Sequence, residues 1–154
     1  MDKLKTGDPA PGFTFTGNDG TTRNLTDYLG KKVILYFYPR DNTPGCTLEA
    51  CSLRDGYEEL RSRGFEVVGV SADSAKSHEG FIAKFNLPFS LVSDTDKSIL
   101  MAYGVWGEKK FMGRQFMGIL RTTFVIDEQG RIAKIIDKVN TKNHAQQVLE
   151  EIEK

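Results

Sequence analysis

The sequence predicts an α/β protein built on a mixed β-sheet that is flanked by helices. Short apolar runs typical of strands alternate along the chain with segments of helical periodicity, which is the pattern of a layered α/β fold. Near the C-terminus, two strand-like runs at 122–126 and 131–136 are joined by a short turn at 127–130. Strands joined so closely pair antiparallel, so we expect a mixed sheet.

The first forty residues predict a hairpin followed by a buried strand. Phe13 and Phe15 alternate with polar residues before the string Gly17-Asn18-Asp19-Gly20, and an Asp-Gly pair between extended runs indicates a hairpin. Residues 33–38 are six consecutive aliphatic or aromatic side chains, stopped by Pro39. Such a run predicts a strand that is buried on both faces.

The rest of the chain predicts helices and strands in alternation. A helix is predicted over 46–63, because Leu53, Tyr57 and Leu60 share one helical face and Gly64 follows as a stop signal. The other predicted elements are a strand at 65–70, a helix at about 77–85, a strand at 89–92, a short helix at 94–103 and a helix at 143–153. A chain of 154 residues can bury its own core, so we expect one domain over 1–154.

Composition and charge exclude several classes of protein. The 21 Lys and Arg balance the 21 Asp and Glu, so we expect no nucleic-acid partner. No run approaches the roughly 20 apolar residues of a membrane span, so we expect no membrane partner. Two cysteines are too few for a disulfide scaffold or an all-cysteine zinc site. The N-terminal residues lack a signal-peptide pattern, so we expect a cytoplasmic protein.

The two cysteines lie where the first buried strand gives way to a helix. Thr43 followed by Pro44 has the pattern of an N-cap with proline at the first helical position. This places Cys46 in the first helical turn, where unpaired N–H groups and the helix dipole stabilise a thiolate. We therefore expect Cys46 to be exposed and reactive.

Cys51 is predicted to lie out of bonding reach of Cys46. In a regular helix, five residues rise by roughly 7.5 Å and hold the two Cα atoms about 8 to 9 Å apart. A disulfide needs a Cα–Cα distance of about 4.4 to 6.8 Å. A bond between the two cysteines would therefore require the first helical turns to unwind, which would couple redox chemistry to local unfolding.

Other interpretations of these cysteines stay open. Either could be a small buried hydrophobic residue. A Cys–His metal site finds no support, because His78 and His144 show no ligand spacing, and a Cys–His hydrolase would need one of them as its base. Peroxide reduction by a thiolate needs no histidine base and fits better. We expect no metal and no organic cofactor.

The pattern Pro39-x-x-x-Thr43-x-x-Cys46 resembles the active site of peroxiredoxins, which are thiol peroxidases of thioredoxin-like fold. The string from Thr43 to Cys51 is similar to the bacterioferritin comigratory protein, or peroxiredoxin Q, subfamily. The resemblance runs from about Gly7 to the C-terminus and continues in residues 71–74, 87–89, 93–94, 104–109 and 121–127. It implies a thioredoxin-like fold with a central mixed sheet.

The resemblance also implies roles for individual residues. Cys46 would be the peroxidatic cysteine, which becomes a sulfenic acid, and Cys51 the resolving cysteine, which then forms an intramolecular disulfide. The Thr43 hydroxyl would face the thiolate and the peroxide, in competition with a capping role. Pro39 would shield Cys46 from water. Arg121 would lie against the thiolate and orient the peroxide.

The implied activity is the reduction of hydrogen peroxide and organic hydroperoxides, with thioredoxin or a similar dithiol as reductant. Glu49 and Arg54 are expected to have supporting roles. We expect a monomer or weak homodimer. Two alternatives are a thioredoxin-like disulfide exchanger, disfavoured because four residues separate the cysteines rather than two, and a redox-switched binding module.

The segment 104–119 predicts a loop or hairpin over the core. A second interpretation is a wall of the active site, or a docking surface for a reductant or second subunit. It contains the aromatic and sulfur residues Trp106, Phe111, Met112, Phe116 and Met117 among the basic residues Lys109, Lys110 and Arg114.

Overall fold

The computed structural model describes residues 3–17 and 19–153, and only the backbone of Phe111; Asn18 of the predicted turn lies outside the described residues. The strands are β1 (Thr14–Thr16), β2 (Thr22–Asn24), β3 (Lys32–Phe37), β4 (Phe65–Ser71), β5 (Ser90–Ser93), β6 (Trp106–Phe111), β7 (Arg114–Ile119), β8 (Thr122–Ile126) and β9 (Ile132–Ile136). The helices are α1 (Pro44–Asp55), α2 (Tyr57–Ser62), α3 (Ala75–Phe85), α4 (Ser98–Ala102) and α5 (His144–Glu153), with a 3-10 helix at Leu25–Tyr28.

A five-stranded sheet in the order β5-β4-β3-β8-β9 forms the centre of the fold. Strand β3 runs parallel to β4, and β4 runs parallel to β5, whereas β8 is antiparallel to both β3 and β9. Two separate hairpins, β1-β2 and β6-β7, complete the strands. The predicted mixed sheet and the N-terminal hairpin are confirmed.

The central strand β3 is buried on both faces, as predicted. Ile34 and Tyr36 pack into one apolar cluster with residues of α1, α2, α3 and α5. Val33 and Leu35 pack into the other cluster with the 3-10 helix, α4 and the N-terminal hairpin. Side chains alternate across a strand, so consecutive apolar residues can fill both clusters.

The predicted helix over 46–63 is two helices in the structure. It begins two residues earlier than predicted, at Pro44, and is interrupted at Gly56. A Cβ atom placed on Gly56 would lie 2.6 Å from the Cβ of Ala145. The close approach of α5 at this point leaves room only for glycine, and the chain turns there.

The short helix predicted over 94–103 covers only Ser98–Ala102. The residues before it form a turn, because the Asp94 carboxylate accepts a hydrogen bond of 2.8 Å from the Leu100 N–H and so caps the helix from outside. Over residues 3–17 and 19–153, no helix has the length and apolar character that crossing a membrane requires.

Candidate active site

The junction between β3 and α1 positions Cys46. Asn42 adopts a left-handed backbone conformation (φ 59°), and Thr43 is extended before Pro44 begins the helix. Cys46 is the third residue of α1, within the first turn as the spacing predicts. Its side chain is only 1% exposed, because it packs in the apolar cluster that includes Tyr36 and Ala50. The expectation of an exposed Cys46 is therefore wrong.

The loop that precedes Cys46 is held by the carboxylate of Asp41. This carboxylate accepts hydrogen bonds from the Tyr38 hydroxyl at 2.6 Å and the Ser77 hydroxyl at 2.7 Å, and it contacts His78 Nδ1 at 2.7 Å. Burial alone would raise the pKa of Asp41, but the hydrogen bonds from His78, Tyr38 and Ser77 outweigh it and lower the pKa. The backbone N–H of Asp41 donates to Asp73. The loop is thus fixed to β3, α3 and the turn after β4.

Arg121, between β7 and β8, connects Cys46 to Glu49. Its Nη2 donates to the Cys46 sulfur at 3.4 Å, and its Nη1 donates to Glu49 Oε1 at 2.7 Å. Cys46 and Glu49 are one helical turn apart on α1, so the planar guanidinium reaches both at once. Burial opposes the charge on Arg121, but Cys46 and Glu49 outweigh it and raise the pKa of the guanidinium.

Glu49 is a fully buried carboxyl at the centre of this arrangement. Burial raises the pKa of Glu49 to about 7, although Arg121 pulls it the other way. Its second oxygen, Oε2, lies 3.6 Å from Nε2 of His144 on α5. Burial lowers the pKa of His144 to about 4, so the imidazole is neutral near pH 7 and the contact is not an ion pair.

His144 is the site residue that the sequence did not point to. No ligand or motif spacing connects it to the cysteines, and only the packing of α5 against α1 brings it to Glu49. Its ring contacts Thr123 through Nε2 at 2.8 Å and Gln147 through Nδ1 at 2.9 Å. Both nitrogens are thus engaged away from Cys46, so His144 is not placed as the base of a Cys–His hydrolase.

The hairpin β6-β7 brings a second cation to the site. Lys109 is half-buried, and its Nζ donates to the Ile119 carbonyl at 3.0 Å. Burial and the nearby Arg121 charge lower the pKa of Lys109, while Cys46 opposes that effect. The predicted hairpin is confirmed; its turn exposes Met112, and the side chain of Phe111 lies outside the described residues.

Thr43 and Pro39 both precede Cys46 at the junction of β3 and α1, and within the described part of the chain the Thr43 hydroxyl is not hydrogen-bonded to the sulfur. The Thr43 hydroxyl donates to the Arg40 carbonyl at 3.0 Å and does not cap α1. Pro39 is half-buried after the end of β3. For the hydroxyl of Thr43 to donate to the sulfur or to a peroxide, its side chain must first release Arg40.

Cys51 lies further along the same helix and is half-buried. Both cysteines are free thiols. Arg54, one turn beyond, donates to the Phe85 carbonyl at 2.8 Å and so ties α1 to the end of α3. This hydrogen bond engages the Arg54 guanidinium away from the two sulfur atoms.

Asp41, Asp73 and His78 form a group whose oxygen and nitrogen atoms lie within 4.8 Å of one another, a geometry that could hold a metal ion. The Asp41 carboxylate is already hydrogen-bonded to His78 and the Tyr38 hydroxyl, and the Asp73 carboxylate accepts from the Ser71 hydroxyl and the Asp41 N–H. The group therefore serves to fix the loop before Cys46.

A cleft of about 840 Å³ opens between the N-terminal hairpin, α3 and α4. Neither Cys46 nor Arg121 lines this cleft. This cleft is therefore not part of the arrangement formed by Cys46, Glu49 and Arg121.

Comparison with known proteins shows the family to which the chain belongs. The AhpC/TSA family matches residues 6–135. Peroxiredoxin Bcp of Escherichia coli (strain K12) is 46% identical over 149 residues, which are 97% of this chain and 96% of that protein.

Two solved structures have the same thioredoxin-like fold. The bacterioferritin comigratory protein of Xanthomonas campestris, in a study of its alkyl peroxide reduction activity, has a TM-score of 0.84 at 36% identity and covers 92% of this chain and 90% of that chain. A cysteine-to-serine variant of PrxQ from Xylella fastidiosa has a TM-score of 0.90 at 33% identity and covers 99% of this chain and 98% of the other. The chain therefore belongs to the AhpC/TSA family and is a thiol peroxidase of the peroxiredoxin group that includes Bcp and peroxiredoxin Q.

Proposed function

We propose that Cys46 is the peroxidatic nucleophile and that Arg121 activates it. The observation that carries this proposal is the 3.4 Å contact from Arg121 Nη2 to the Cys46 sulfur in the first turn of α1. Helix N–H groups and a guanidinium together stabilise a thiolate, and both are oriented before the peroxide arrives.

In the first step, the Cys46 thiolate attacks one oxygen of the peroxide. A sulfur–oxygen bond forms and the oxygen–oxygen bond breaks, so the sulfur is oxidised to a sulfenic acid. The departing alkoxide or hydroxide takes up a proton and leaves as an alcohol or water. Arg121 supplies donors to the leaving oxygen, and Thr43 supplies a hydroxyl once it has released Arg40. Pro39 limits the access of water to the sulfur.

In the second step, Cys51 attacks the Cys46 sulfenic acid. The sulfur–sulfur bond forms, the sulfur–oxygen bond breaks, and the oxygen leaves as water. Because both cysteines belong to α1, the residues between them must leave helical geometry for the sulfur atoms to meet. Among these residues Glu49 and Ala50 are buried, so resolution displaces part of the core.

A dithiol protein of the thioredoxin type then reduces the disulfide by thiol exchange. Unwinding of α1 brings the disulfide to the surface, which supports a protein reductant. The substrates are hydrogen peroxide and organic hydroperoxides, in line with the alkyl peroxide reduction studied in the Xanthomonas campestris relative. Two unpaired thiols suit a reducing compartment such as the cytoplasm. Since the resolving cysteine belongs to the same chain, a monomer or weak homodimer suffices.

The test is rapid-mixing kinetics with hydrogen peroxide and with an alkyl hydroperoxide, followed by mass spectrometry. Cys46→Ser is expected to abolish the fast reaction. Cys51→Ser is expected to keep it but to stop at a sulfenic acid, with no intramolecular disulfide. Fast peroxide reduction by Cys46→Ser would overturn the nucleophile assignment, and a disulfide-independent cycle in the parent enzyme would overturn the role of Cys51.

A further inference from the structure

The second oxygen of Glu49 is a buried polar atom that the proposed cycle leaves unexplained. Glu49 Oε1 accepts from Arg121, but Oε2 has no hydrogen-bond partner among the described residues, and Glu49 is 0% exposed. A buried carboxylate oxygen without a donor costs free energy, so the environment of Oε2 determines which protonation state of Glu49 is favoured. Nε2 of His144 lies 3.6 Å from Oε2.

The hydrogen-bond chain behind His144 determines which of its nitrogens carries the proton. Gln147 Nε2 donates to the Lys138 carbonyl at 2.8 Å, and Gln147 Oε1 accepts from the Asn140 N–H at 2.7 Å. The amide of Gln147 is therefore oriented with its oxygen towards His144 Nδ1, 2.9 Å away. An acceptor in that position requires a proton on Nδ1.

A neutral imidazole with its proton on Nδ1 presents a lone pair on Nε2. The Thr123 hydroxyl lies 2.8 Å from this nitrogen and donates to it, and Glu49 Oε2 approaches the same nitrogen. An ionised Oε2 would face a lone pair and find no donor there. A protonated Oε2 would point its proton at an acceptor.

We infer that His144 is a positioning residue that keeps Glu49 protonated in the reduced enzyme, so that the charge of Arg121 is reserved for the Cys46 thiolate. The inference rests on the proposed function of Cys46. One guanidinium cannot fully balance two buried anions, so an ionised Glu49 would compete with the thiolate. A neutral Glu49 still accepts the Arg121 hydrogen bond, and it orients the guanidinium without sharing its charge.

Other titratable groups also surround Glu49. The Tyr36 hydroxyl is buried and has no hydrogen-bond partner among the described residues; burial and the proximity of Glu49 and Cys46 raise its pKa well above the ordinary value. Each element packed around Glu49 contributes a titratable or charged group: Tyr36 on β3, Cys46 on α1, Arg121 before β8 and His144 on α5. Lys109 on β6 interacts electrostatically with Arg121 and Cys46.

The direct test reads the protonation of the reduced enzyme without any peroxide. Carbon-13 NMR of side-chain-labelled glutamate, assigned by the signal missing in Glu49→Gln, is expected to show Glu49 protonated at pH 6 and titrating near pH 7. The matched control Glu58→Gln removes an exposed carboxyl of α2 and should leave the signal assigned to Glu49 in place. Nitrogen-15 NMR of labelled histidine, which needs no variant, is expected to show the Nδ1–H tautomer of His144 throughout that range.

An ionised Glu49 at pH 6, or a proton on His144 Nε2, would overturn the inference while leaving the peroxidase assignment intact. Fast peroxide reduction by Cys46→Ser would overturn the proposed function, and it would leave these NMR readouts of Glu49 and His144 in the reduced enzyme unchanged. The two failures are therefore distinguishable.

A remote variant separates positioning from simple structural support. Gln147→Met removes the acceptor for His144 Nδ1, so the imidazole proton moves to Nε2, where it stabilises an ionised Glu49. The Glu49 midpoint is expected to fall by about one pH unit, a tenfold change in its proton affinity. An unchanged midpoint in folded Gln147→Met would contradict the role of His144.

The rate test measures the peroxide rate constant of Glu49→Gln and divides it by that of the parent enzyme at each pH. The amide cannot ionise, so the ratio of its peroxide rate constant to that of the parent is expected to rise between pH 6 and pH 8.5, because only the parent gains a second anion that competes for Arg121. A ratio that stays constant over this range would overturn the proposed competition for Arg121.

Discussion

Cys46 and Cys51 lie in one unbroken helix, the first buried and the second half-buried. A regular helix holds two such Cα atoms about 8 to 9 Å apart, so their disulfide and the intact helix exclude each other. Glu49 and Ala50 between them belong to the core and contact Arg121 and the central sheet. Formation of the disulfide therefore requires buried residues of α1 to leave their positions in the core.

Hydrogen exchange should detect this unwinding directly. In the reduced enzyme the amides of 47–51 are expected to be protected by helical hydrogen bonds, and in the disulfide form to exchange faster on the order of tenfold or more, as in local unfolding. The measurement is exchange mass spectrometry on both redox states. The control is Cys51→Ser treated with one equivalent of peroxide, which should keep the protection. Equal protection in the two redox states of the parent would contradict the prediction.

Gly45 should control the position of the Arg121 side chain. A Cβ placed on Gly45 would lie 3.2 Å from Arg121 Nη2, so alanine has to push the guanidinium away from the sulfur. We expect Gly45→Ala to lower the peroxide rate constant roughly threefold to tenfold, because misplacement by part of an ångström weakens an oriented donor.

The control for Gly45→Ala is Gly80→Ala on α3, where a Cβ meets nothing within 4 Å. Both substitutions add helix propensity of up to about 1 kcal/mol, so both should raise stability or leave it unchanged. Only Gly45→Ala should slow the reaction, as measured by rapid mixing with peroxide. An equal effect of both variants would show that propensity, and not the Arg121 contact, is responsible.

The contact between α1 and α5 should be intolerant of a methyl group at Gly56. The added Cβ would lie 2.6 Å from that of Ala145, closer than packed atoms allow. We expect Gly56→Ala to lower the free energy of unfolding by about 1 to 3 kcal/mol, the usual cost of overpacking. Urea unfolding of the reduced protein measures this.

Ala145→Gly in the Gly56→Ala background should restore most of the lost stability. It removes the opposing methyl group, while a glycine in α5 costs about 0.5 to 1 kcal/mol by itself. The two substitutions are thus expected to be non-additive. Additive losses in the double variant would mean that the contact is not the cause.

A lysine ammonium group should not be able to replace the planar guanidinium of Arg121. Arg121→Lys keeps the charge but cannot donate to Glu49 and to the Cys46 sulfur with one rigid group. We expect the peroxide rate constant to fall roughly 100-fold or more, as when a preorganised donor is removed. The matched control is Arg114→Lys on the exposed part of the hairpin, which should leave this rate constant unchanged. A rate loss below twofold in Arg121→Lys would contradict the assignment.

Much of the fold could be predicted because it depends on local patterns. The apolar run before Pro39 predicted β3, and the string Thr43-Pro44 predicted the start of the helix that carries Cys46. The break at Gly56 could not be predicted, because it results from Ala145 on a helix far along the chain. Sequence periodicity indicates which face of a helix is apolar, but it does not indicate which helix or strand packs against that face.

The site was predictable to the extent that its residues lie in one segment or in a family pattern. Glu49 was expected only in a supporting role, and His144 was not expected at all, since its contact with Glu49 arises from helix packing alone. The burial of Cys46 was also missed. A helix start is usually exposed, but here the thiol packs into the apolar cluster that includes Tyr36 and Ala50.

The last prediction concerns stability against pH, where Glu49 and His144 act in opposite senses. Burial raises the pKa of Glu49 from 4.5 to about 7. The contribution of Glu49 to the free energy of unfolding is therefore fully present below pH 4.5 and is lost as the pH rises through 7. Burial lowers the pKa of His144 from 6.5 to about 4, so its contribution is present above pH 6.5 and is lost as the pH falls through 4. Each of these two pKa shifts changes the free energy of unfolding by about 3 kcal/mol.

Between about pH 4.5 and 6.5 the two slopes cancel in the parent protein. Glu49→Gln removes one of them, so the difference in unfolding free energy between variant and parent should rise with pH by about 1.4 kcal/mol per unit in that range. For His144→Asn, the corresponding difference in unfolding free energy should fall as the pH rises. Urea unfolding at half-unit pH steps measures both, with Glu58→Gln as the exposed control that should leave the parent curve unchanged. Because each comparison subtracts the parent, the titrating groups that do not interact with the replaced residue cancel, and a flat difference for Glu49→Gln would mean that Glu49 is ionised in the folded enzyme at pH 5.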